Sequence, residues 1–490
     1  MLALHADWAN FKHKYLYMFP ADLDLSAEQR KGLWQKLSSI VEDHYVHADK
    51  FSVSPELDPL AIRKFLAELN LEKANEPDFA LQKVKEGLDK WQVHLGHPMY
   101  YGLFNPRPSA MGIIADALVA AYNPQMAAWS HSPFAVEVEN YIIQEIGKRF
   151  GMAENSIDGT FCTGGAEANQ TAVLTAICQK FPDYILHGAR ALKGQPVLYA
   201  SEQSHHSLMK AARTSGLGST ATRMVPSDDQ LKMDLTVLKQ LIAEDRKAGN
   251  IPFMITGTAG TTGAGVIDPL VEIAAICKAE GLWFHVDAAW GGAAAIVPEL
   301  KTHISGIELA DSITFDAHKW FSVPMGAGIY LTKHQEILSS TFSIAADYMP
   351  KEGRELGIVD PFSHSIQWSR RFTGLKVYMS LLVAGWEGYE KVIRHQAEIG
   401  AKLKALLIEN NWEVVNDTPF PVICFRGKTA ETQSPEYLQA LCGRVVKSGK
   451  AWISTIALTP DLYTLRACIT NYATEDLHLQ KLVTILSQYR

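Results

Sequence analysis

The stretch Asp311-Ser-Ile-Thr-Phe-Asp-Ala-His-Lys319-Trp320 ends a short β-prone run with a lysine, and Phe321, Val323 and Pro324 follow it. An ammonium group crowded by apolar side chains loses hydration, so its pKa falls and the neutral amine can attack a carbonyl group. A single lysine at a strand end more often extends its charged head into solvent. The neighbouring motifs therefore decide which interpretation of Lys319 holds.

A carboxylate lies in a second strand-like run, Leu282-Trp-Phe-His-Val-Asp287, just upstream of the lysine. Such an apolar run predicts that Asp287 is buried, and a buried charge needs a partner. The protonated nitrogen of a pyridine ring would be a suitable partner.

A glycine pair in Phe161-Cys-Thr163-Gly164-Gly165-Ala166-Glu167 separates two β-prone residues from a helical pattern. Glycines let backbone N–H groups approach a phosphate closely, and a helix N-terminus adds partial positive charge. Alone, this signal is weak. Together with Lys319 and Asp287, in this chain order, it predicts a site for pyridoxal 5'-phosphate.

These motifs, Asp316-x-His-Lys-Trp320 and His285-Val-Asp-Ala-Ala289, resemble those of the group II pyridoxal-phosphate-dependent amino-acid decarboxylases. That family includes aromatic amino-acid, histidine and glutamate decarboxylases of fold-type I. The resemblance implies an α/β fold with a mostly parallel seven-stranded sheet flanked by helices. It also implies a helical N-terminal segment (1–90) that serves dimerisation, a large cofactor-binding domain (91–375) and a small α+β C-terminal domain (376–490). We therefore expect a homodimer with the active site at the subunit interface.

The resemblance also assigns residues to the site. It implies that His205 stacks on the cofactor ring, that Thr262 supports this arrangement, and that Tyr348 delivers a proton to the substrate Cα. The implied cofactor-binding residues are Thr163, Gly164, Gly165, Ala166, His205, Thr262, Asp287, Ala289, His318 and Lys319. The implied substrate-binding residues are Tyr101, Leu103, Phe104, Asn105, Trp129 and Ser369. Arg370 matches a family arginine, for which we expect a supporting role.

The substrate side chain is predicted from a few of these positions. Leu103 stands where glutamate decarboxylases carry glutamine, which argues against an acidic substrate, whereas Phe104 and its aromatic neighbours favour an aromatic one. Ser369 matches members that act on histidine, and Arg466 does not discriminate. We predict decarboxylation of an L-amino acid with an aromatic or imidazole side chain, giving the amine and CO2.

Several alternatives stay open. One is an acidic or other small amino acid as substrate, and another is oxidative aldehyde formation or transamination with the same cofactor. Tyr348 favours simple decarboxylation, since family members with phenylalanine there tend towards aldehyde formation. A non-catalytic homologue is disfavoured by the intact set of Lys319, Asp287, His205 and Tyr348. We expect no metal, because His205, His285 and Asp287 lack a further ligand at zinc-like spacing.

Composition excludes other classes of function. The 490 residues carry a net charge of −7, which gives no basic field for nucleic acid or anionic lipid. The six cysteines are scattered without C-x-x-C spacing, which is typical of a reducing compartment. No apolar run reaches the ~18 residues of a membrane span, and the first residues do not resemble a secretion signal. We expect a cytoplasmic protein that does not bind membranes.

The hydrophobic pattern predicts the order of elements. Ser26 and Gln29 form a candidate capping box for an N-terminal helix. After Pro133, short apolar runs alternate with helical stretches, which favours βαβ units. The segment 339–366 has little periodicity and suggests a long loop over the site.

Overall fold

The computed structural model describes residues 23–69, 71–72, 74–344 and 358–490. The chain divides into two compact units. The first contains the described residues up to Phe51 together with Pro55–Gln92, and the second contains Ser52–Ser54 with Val93–Arg490. The three domains predicted from the sequence stay a prediction.

The first unit consists of helices that expose apolar side chains. Its α-helices are α1 (Ala27–Val46), α2 (Pro59–Glu68) and α3 (Pro77–Trp91). The predicted capping box is present, because the Ser26 hydroxyl accepts from the Gln29 N–H and the Gln29 side chain accepts from the Ser26 N–H. None of the three helices has a buried residue.

The second unit contains a seven-stranded sheet in the order β1-β7-β6-β5-β4-β2-β3. Strands β2 to β6 pair in parallel, whereas β7 is antiparallel to both β1 and β6. The strands are β1 (Asp158–Cys162), β2 (Pro196–Ser201), β3 (Thr222–Val225), β4 (Ile251–Thr258), β5 (Trp283–Asp287), β6 (Ser312–Asp316) and β7 (Gly328–Thr332). The predicted mostly parallel α/β sheet is confirmed.

Helices precede, connect and follow these strands. They are α4 (Ala110–Tyr122), α5 (Pro133–Phe150), α6 (Gly165–Lys180), α7 (Tyr184–His187), α8 (Ser207–Thr214), α9 (Leu235–Lys247), α10 (Leu270–Glu280), α11 (Pro298–Lys301), α12 (Ile337–Phe342) and α13 (Gly374–Glu409). Helix α13 is not continuous, because Gly385 (φ 64°, ψ 173°) interrupts it. The predicted loop 339–366 begins within α12, and part of it lies outside the described residues.

A smaller antiparallel sheet follows, in the order β10-β11-β9-β8. Its strands are β8 (Glu413–Val414), β9 (Val422–Arg426), β10 (Ser454–Thr459) and β11 (Leu462–Cys468), and the last helices are α14 (Ala430–Gln433), α15 (Pro435–Lys447) and α16 (Asp476–Tyr489). Among the described residues, no helix is long and apolar enough to cross a bilayer.

Candidate active site

The site forms where three parallel strands end side by side. Thr258 at the end of β4 pairs with Asp287 at the end of β5, and Asp287 pairs with Thr314 in β6. The carboxyl ends of parallel strands meet at one edge of a sheet, where ligands of α/β proteins collect. Lys319 follows the end of β6 by three residues and therefore reaches the same edge.

One pocket at this edge unites the residues of the three motifs. The reactive lysine, the strand carboxylate, the histidine and the start of α6 all border it. Its lining residues are Gly165, Ala166, Asn169, His205, Thr258, Gly260, Thr262, Asp287, Ala289, Trp290 and Lys319.

Asp287 is buried, with 5% of its surface exposed. Its Oδ2 accepts a hydrogen bond from Asn169 Nδ2 at 2.8 Å, and its Oδ1 accepts from the Ala289 N–H at 3.1 Å. Two donors on different elements thus orient the carboxylate, and they satisfy only part of its capacity to accept.

Lys319 has a carboxylate partner that the sequence analysis does not assign to it. Its Nζ lies 2.9 Å from Asp316 Oδ2, and Asp316 is 1% exposed. The other oxygen of Asp316, Oδ1, has no hydrogen-bond partner among the described residues. The Lys319 Nζ also lies 5.9 Å from the centre of the Phe104 ring.

The start of α6 forms a tight turn beside the lysine. A Cβ at Gly165 would lie 2.9 Å from Asp316 Oδ2 and 3.1 Å from the Ala289 Cβ, so only glycine fits there without displacement. His318 lies next to this turn, with its Cε1 3.4 Å from a Cβ built at Gly164. Its Nδ1 accepts from the Ala327 N–H, so its proton is on Nε2, and burial lowers its pKa.

His205 borders the pocket from the loop before α8. Its Nδ1 lies 2.8 Å from the Ser207 hydroxyl and accepts from the Ser207 N–H at 3.2 Å. Partial burial lowers its pKa, although the negative charge of Asp287 opposes this effect. The neutral imidazole is therefore favoured near neutral pH.

Aromatic rings form one side of the site. Phe104 packs on Trp290 with ring centres 4.5 Å apart, and Trp290 stacks on Trp320 at 5.3 Å. The Arg466 guanidinium lies 5.0 Å from the Phe104 ring and donates to the carbonyls of Gly263 and Gly102.

Comparison with known proteins agrees with this geometry. Residues 59–428 match the family model described as pyridoxal-dependent decarboxylase conserved domain. The chain belongs to this family. The chain is 30% identical to an aromatic-L-amino-acid decarboxylase of Bacillus atrophaeus over 92% of its own length and 93% of the relative. It is also 30% identical to an L-aspartate decarboxylase of Metarhizium robertsii, over 69% of this chain and 69% of the relative's length.

A solved structure gives the same result for the fold. A crystal structure of mouse CSAD superimposes with a TM-score of 0.88 at 25% identity, covering 95% of this chain and 99% of that one. The protein is a pyridoxal-phosphate-dependent amino-acid decarboxylase, and an amino acid is its small-molecule partner.

The pocket of the decarboxylase fits its cofactor. The N-terminus of α6 and the Nε2–H of His318 provide donors for an anion at one side, beside a glycine turn that a Cβ would fill. The amine of Lys319 lies next to that turn, and the buried carboxylate of Asp287 lies on the same pocket. The predicted contact of Thr163 with the cofactor has less support, because its N–H and hydroxyl already donate to Glu167 Oε2, at 2.9 and 2.7 Å.

Several residues predicted to bind the substrate lie outside the pocket of this chain. Tyr101 is fully buried in a second hydrophobic core and does not line this pocket. Trp129 donates to Glu137 and packs near α5, and Ser369 accepts from Gln125. Leu103 is half exposed, and Asn105 contacts Met325. The ring of Phe104, another predicted substrate residue, packs on Trp290, which lines the pocket.

Two predicted residues remain, Tyr348 and Arg370. Tyr348 lies outside the described residues. Arg370 is buried and forms a two-pronged ion pair with Glu139, with distances of 3.1 and 2.6 Å. Glu139 also accepts from the N–H groups of Thr373 and Gly374, so the pair joins α5 to the start of α13.

The sequence analysis missed two polar residues at the centre of the site, Asn169 and Asp316. Asp316 lies three residues before Lys319 in the same motif, so its spacing was a usable signal. Asn169 lies one turn into α6, where an amide in a helix gives no sign of what it contacts. Its partners come from distant segments that only the sheet order brings together.

Proposed function

We propose that the enzyme decarboxylates an L-amino acid with an aromatic or imidazole side chain, giving the amine and CO2. The observation that carries this proposal is the aromatic surface beside the reactive amine. The Phe104 ring lies 5.9 Å from Lys319 Nζ and packs on Trp290. Aromatic rings bury large apolar area and favour offset or edge contacts with one another, which suits a planar side chain.

The residues of the pocket would have separate roles in the reaction. When bound, pyridoxal phosphate supplies a conjugated ring that accepts the electron pair left at Cα as CO2 departs. Lys319 would hold the cofactor covalently through its amine, and Asp287 would keep a proton on the ring nitrogen. Gly164, Gly165 and Ala166 at the start of α6, with His318, would hold the phosphate.

Two residues would control orientation and protonation. His205 would pack on the cofactor ring and hold the Cα–carboxylate bond in the orientation in which that bond breaks. Tyr348 would donate the proton that replaces CO2 at Cα. The role of Tyr348 rests on the resemblance alone, because the residue lies outside the described part of the chain.

An acidic amino acid is the second candidate substrate. Arg466 is 3% exposed, its guanidinium faces Phe104, and its Nη2 has no hydrogen-bond partner among the described residues. A buried, unsatisfied donor of this kind favours a carboxylate nearby. The Metarhizium relative, an L-aspartate decarboxylase, supports the same candidate.

One experiment separates these candidates. The purified holoenzyme is mixed separately with L-tyrosine, L-tryptophan, L-phenylalanine, L-histidine, L-aspartate and L-glutamate, and CO2, amine, aldehyde and ammonia are quantified. We expect equal amounts of amine and CO2 from aromatic amino acids or histidine. Turnover of only aspartate or glutamate would refute the aromatic proposal and support the acidic one. Aldehyde and ammonia with oxygen uptake would show that the reaction is oxidative.

We also propose that the enzyme is a homodimer, with the first unit contacting the second chain. Within that unit, an apolar groove on α1 and α3 is lined by Leu25, Arg30, Leu33, Trp34, Leu37, Pro77 and Leu81. Trp34 is 56% exposed. Large exposed apolar patches of this kind are typical of protein interfaces.

A further inference from the structure

Asn169 in α6 is a buried amide that contacts four side chains. It is 1% exposed. Its Nδ2 donates to Asp287 Oδ2 and to Ser207 Oγ, both at 2.8 Å. Its Oδ1 accepts from Thr314 Oγ1 at 2.7 Å and lies 3.1 Å from His285 Nε2. An amide has two donor hydrogens and two acceptor lone pairs, so all its positions are used.

The direction of these hydrogen bonds is fixed by the Asp287 carboxylate, because its oxygens accept. The Asn169 Nδ2 therefore faces Asp287 and Ser207, and its Oδ1 faces Thr314 and His285. Burial lowers the pKa of His285 to about 4, so the ring is neutral, and its single proton is on Nε2, facing the Asn169 oxygen. The His285 Nδ1 is then left as an acceptor, 2.9 Å from Ser312 Oγ.

The same direction continues to His205. Because Ser207 Oγ accepts from Asn169, its own proton is free to bond to His205 Nδ1, 2.8 Å away. The Ser207 N–H also donates to this nitrogen. Nδ1 is thus an acceptor, and the proton of the neutral His205 ring is on Nε2.

We propose that Asn169 is a positioning residue for the decarboxylation. One amide group would orient the Asp287 carboxylate towards the cofactor ring nitrogen and, through Ser207, hold His205 in the tautomer with its proton on Nε2. The Ala289 N–H holds the other oxygen of Asp287. Asn169 therefore couples the group that controls the ring nitrogen to the group that packs on the ring.

Three variants separate this role from simple packing. Asn169→Asp keeps the shape but replaces the donor with an acceptor beside Asp287, and Asn169→Ala removes the hydrogen bonds to both Asp287 and Ser207. Ser207→Ala removes only the hydroxyl that connects Asn169 to His205. The control is Thr175→Val. Thr175 is buried on the same helix, and its hydroxyl lies 2.8 Å from that of Tyr330, which does not line the pocket. It reports the effect of losing a buried hydrogen bond of α6 alone.

The first readout is the pH titration of the visible absorbance of the bound cofactor. We expect Asn169→Ala and Asn169→Asp to move its midpoint by about one pH unit or more, because the Asp287 carboxylate loses the hydrogen bond that orients it. Ser207→Ala and Thr175→Val should leave this midpoint close to that of the wild type. An unchanged midpoint in both Asn169 variants would overturn the proposal.

The second readout is steady-state kinetics with the best substrate. We expect kcat to fall roughly 10- to 100-fold in the Asn169 variants, the range seen when supporting partners of a metal ligand are lost, with KM changing much less. Ser207→Ala should lower kcat and alter its pH profile without moving the absorbance midpoint. If Asn169→Asp keeps wild-type kcat, or if Thr175→Val lowers it equally, the role of Asn169 is only structural.

Discussion

At the scale of single residues, Asp268 makes the stability of the fold depend on pH. It is buried, and it accepts from the N–H groups of Met233 and Thr258, both at 2.8 Å. Thr258 ends β4 and lines the pocket. Burial raises the pKa of Asp268 from 3.8 to about 6. The folded state therefore binds this proton more tightly than the unfolded state does.

The sign of the pH effect follows from this difference. Asp268 favours the folded state most at pH values below about 4, and its contribution is lost as pH rises through about 6. Two pKa units correspond to about 3 kcal/mol. We predict that the free energy of unfolding of the wild type falls by about this amount, relative to Asp268→Asn, between these pH values. Denaturant titrations across this range measure it, and a constant difference between the two proteins would contradict it.

The residues of the site show which contacts a sequence reveals. Lys319 and Asp287 were recognisable because each lies in a short motif whose neighbours predict its surroundings. The hydrogen bond from Asn169 to Asp287 joins residues 118 positions apart. It depends on α6 crossing the ends of β5 and β6, and local sequence does not encode that arrangement.

At the scale of elements, the break in α13 depends on Gly385. Its φ of 64° with ψ of 173° lies in a region that only glycine occupies readily. A Cβ there would meet no atom within 4 Å, so a substitution would cost backbone strain alone. We predict that Gly385→Ala lowers the free energy of unfolding by about 1 to 3 kcal/mol.

Gly443 provides a matched control for this prediction. It lies within α15, its Cβ would also meet no atom, and its φ is not positive. Gly443→Ala should raise stability by roughly 0.5 to 1 kcal/mol, because alanine favours the helix. Both values come from denaturant unfolding. A Gly385→Ala protein as stable as Gly443→Ala would show that the break is not required.

The sheet shows what pattern alone predicts about elements. Alternating apolar runs and helical stretches predicted a largely parallel sheet, and strands β2 to β6 form its parallel part. The antiparallel direction of β7, between β1 and β6, was not predictable. Its run Gly328–Thr332 is as apolar and buried as the parallel strands, so the pattern does not reveal the direction. Strand direction here depends on the short connection from Asp316 to Gly328, which also carries Lys319.

At the scale of the whole molecule, the proposed homodimer makes a direct prediction. Trp34 lies on α1 in the apolar groove of the first unit. Trp34→Glu would place a charge in a surface that we propose is buried in the dimer, at a cost of several kcal/mol. We predict that sedimentation velocity finds the wild type at twice the chain mass and the variant shifted towards the monomer.

Gln35→Glu is the control for charge, since Gln35 is the exposed next residue on the same helix. It should sediment like the wild type. A Trp34→Glu protein that stays dimeric would place the interface elsewhere, and a wild type that sediments as a monomer would refute the dimer itself.

We propose that Lys319 is the residue that carries the cofactor. The most direct test is to reduce the holoenzyme with borohydride, which makes the covalent link permanent, and then to locate the added mass in proteolytic peptides. We predict that the pyridoxal phosphate mass lies on the peptide containing Lys319, and that Lys319→Ala abolishes it while Lys376→Ala, which removes another buried lysine of the second unit, does not. Labelling of a different lysine, or none on the Lys319 peptide, would contradict the account.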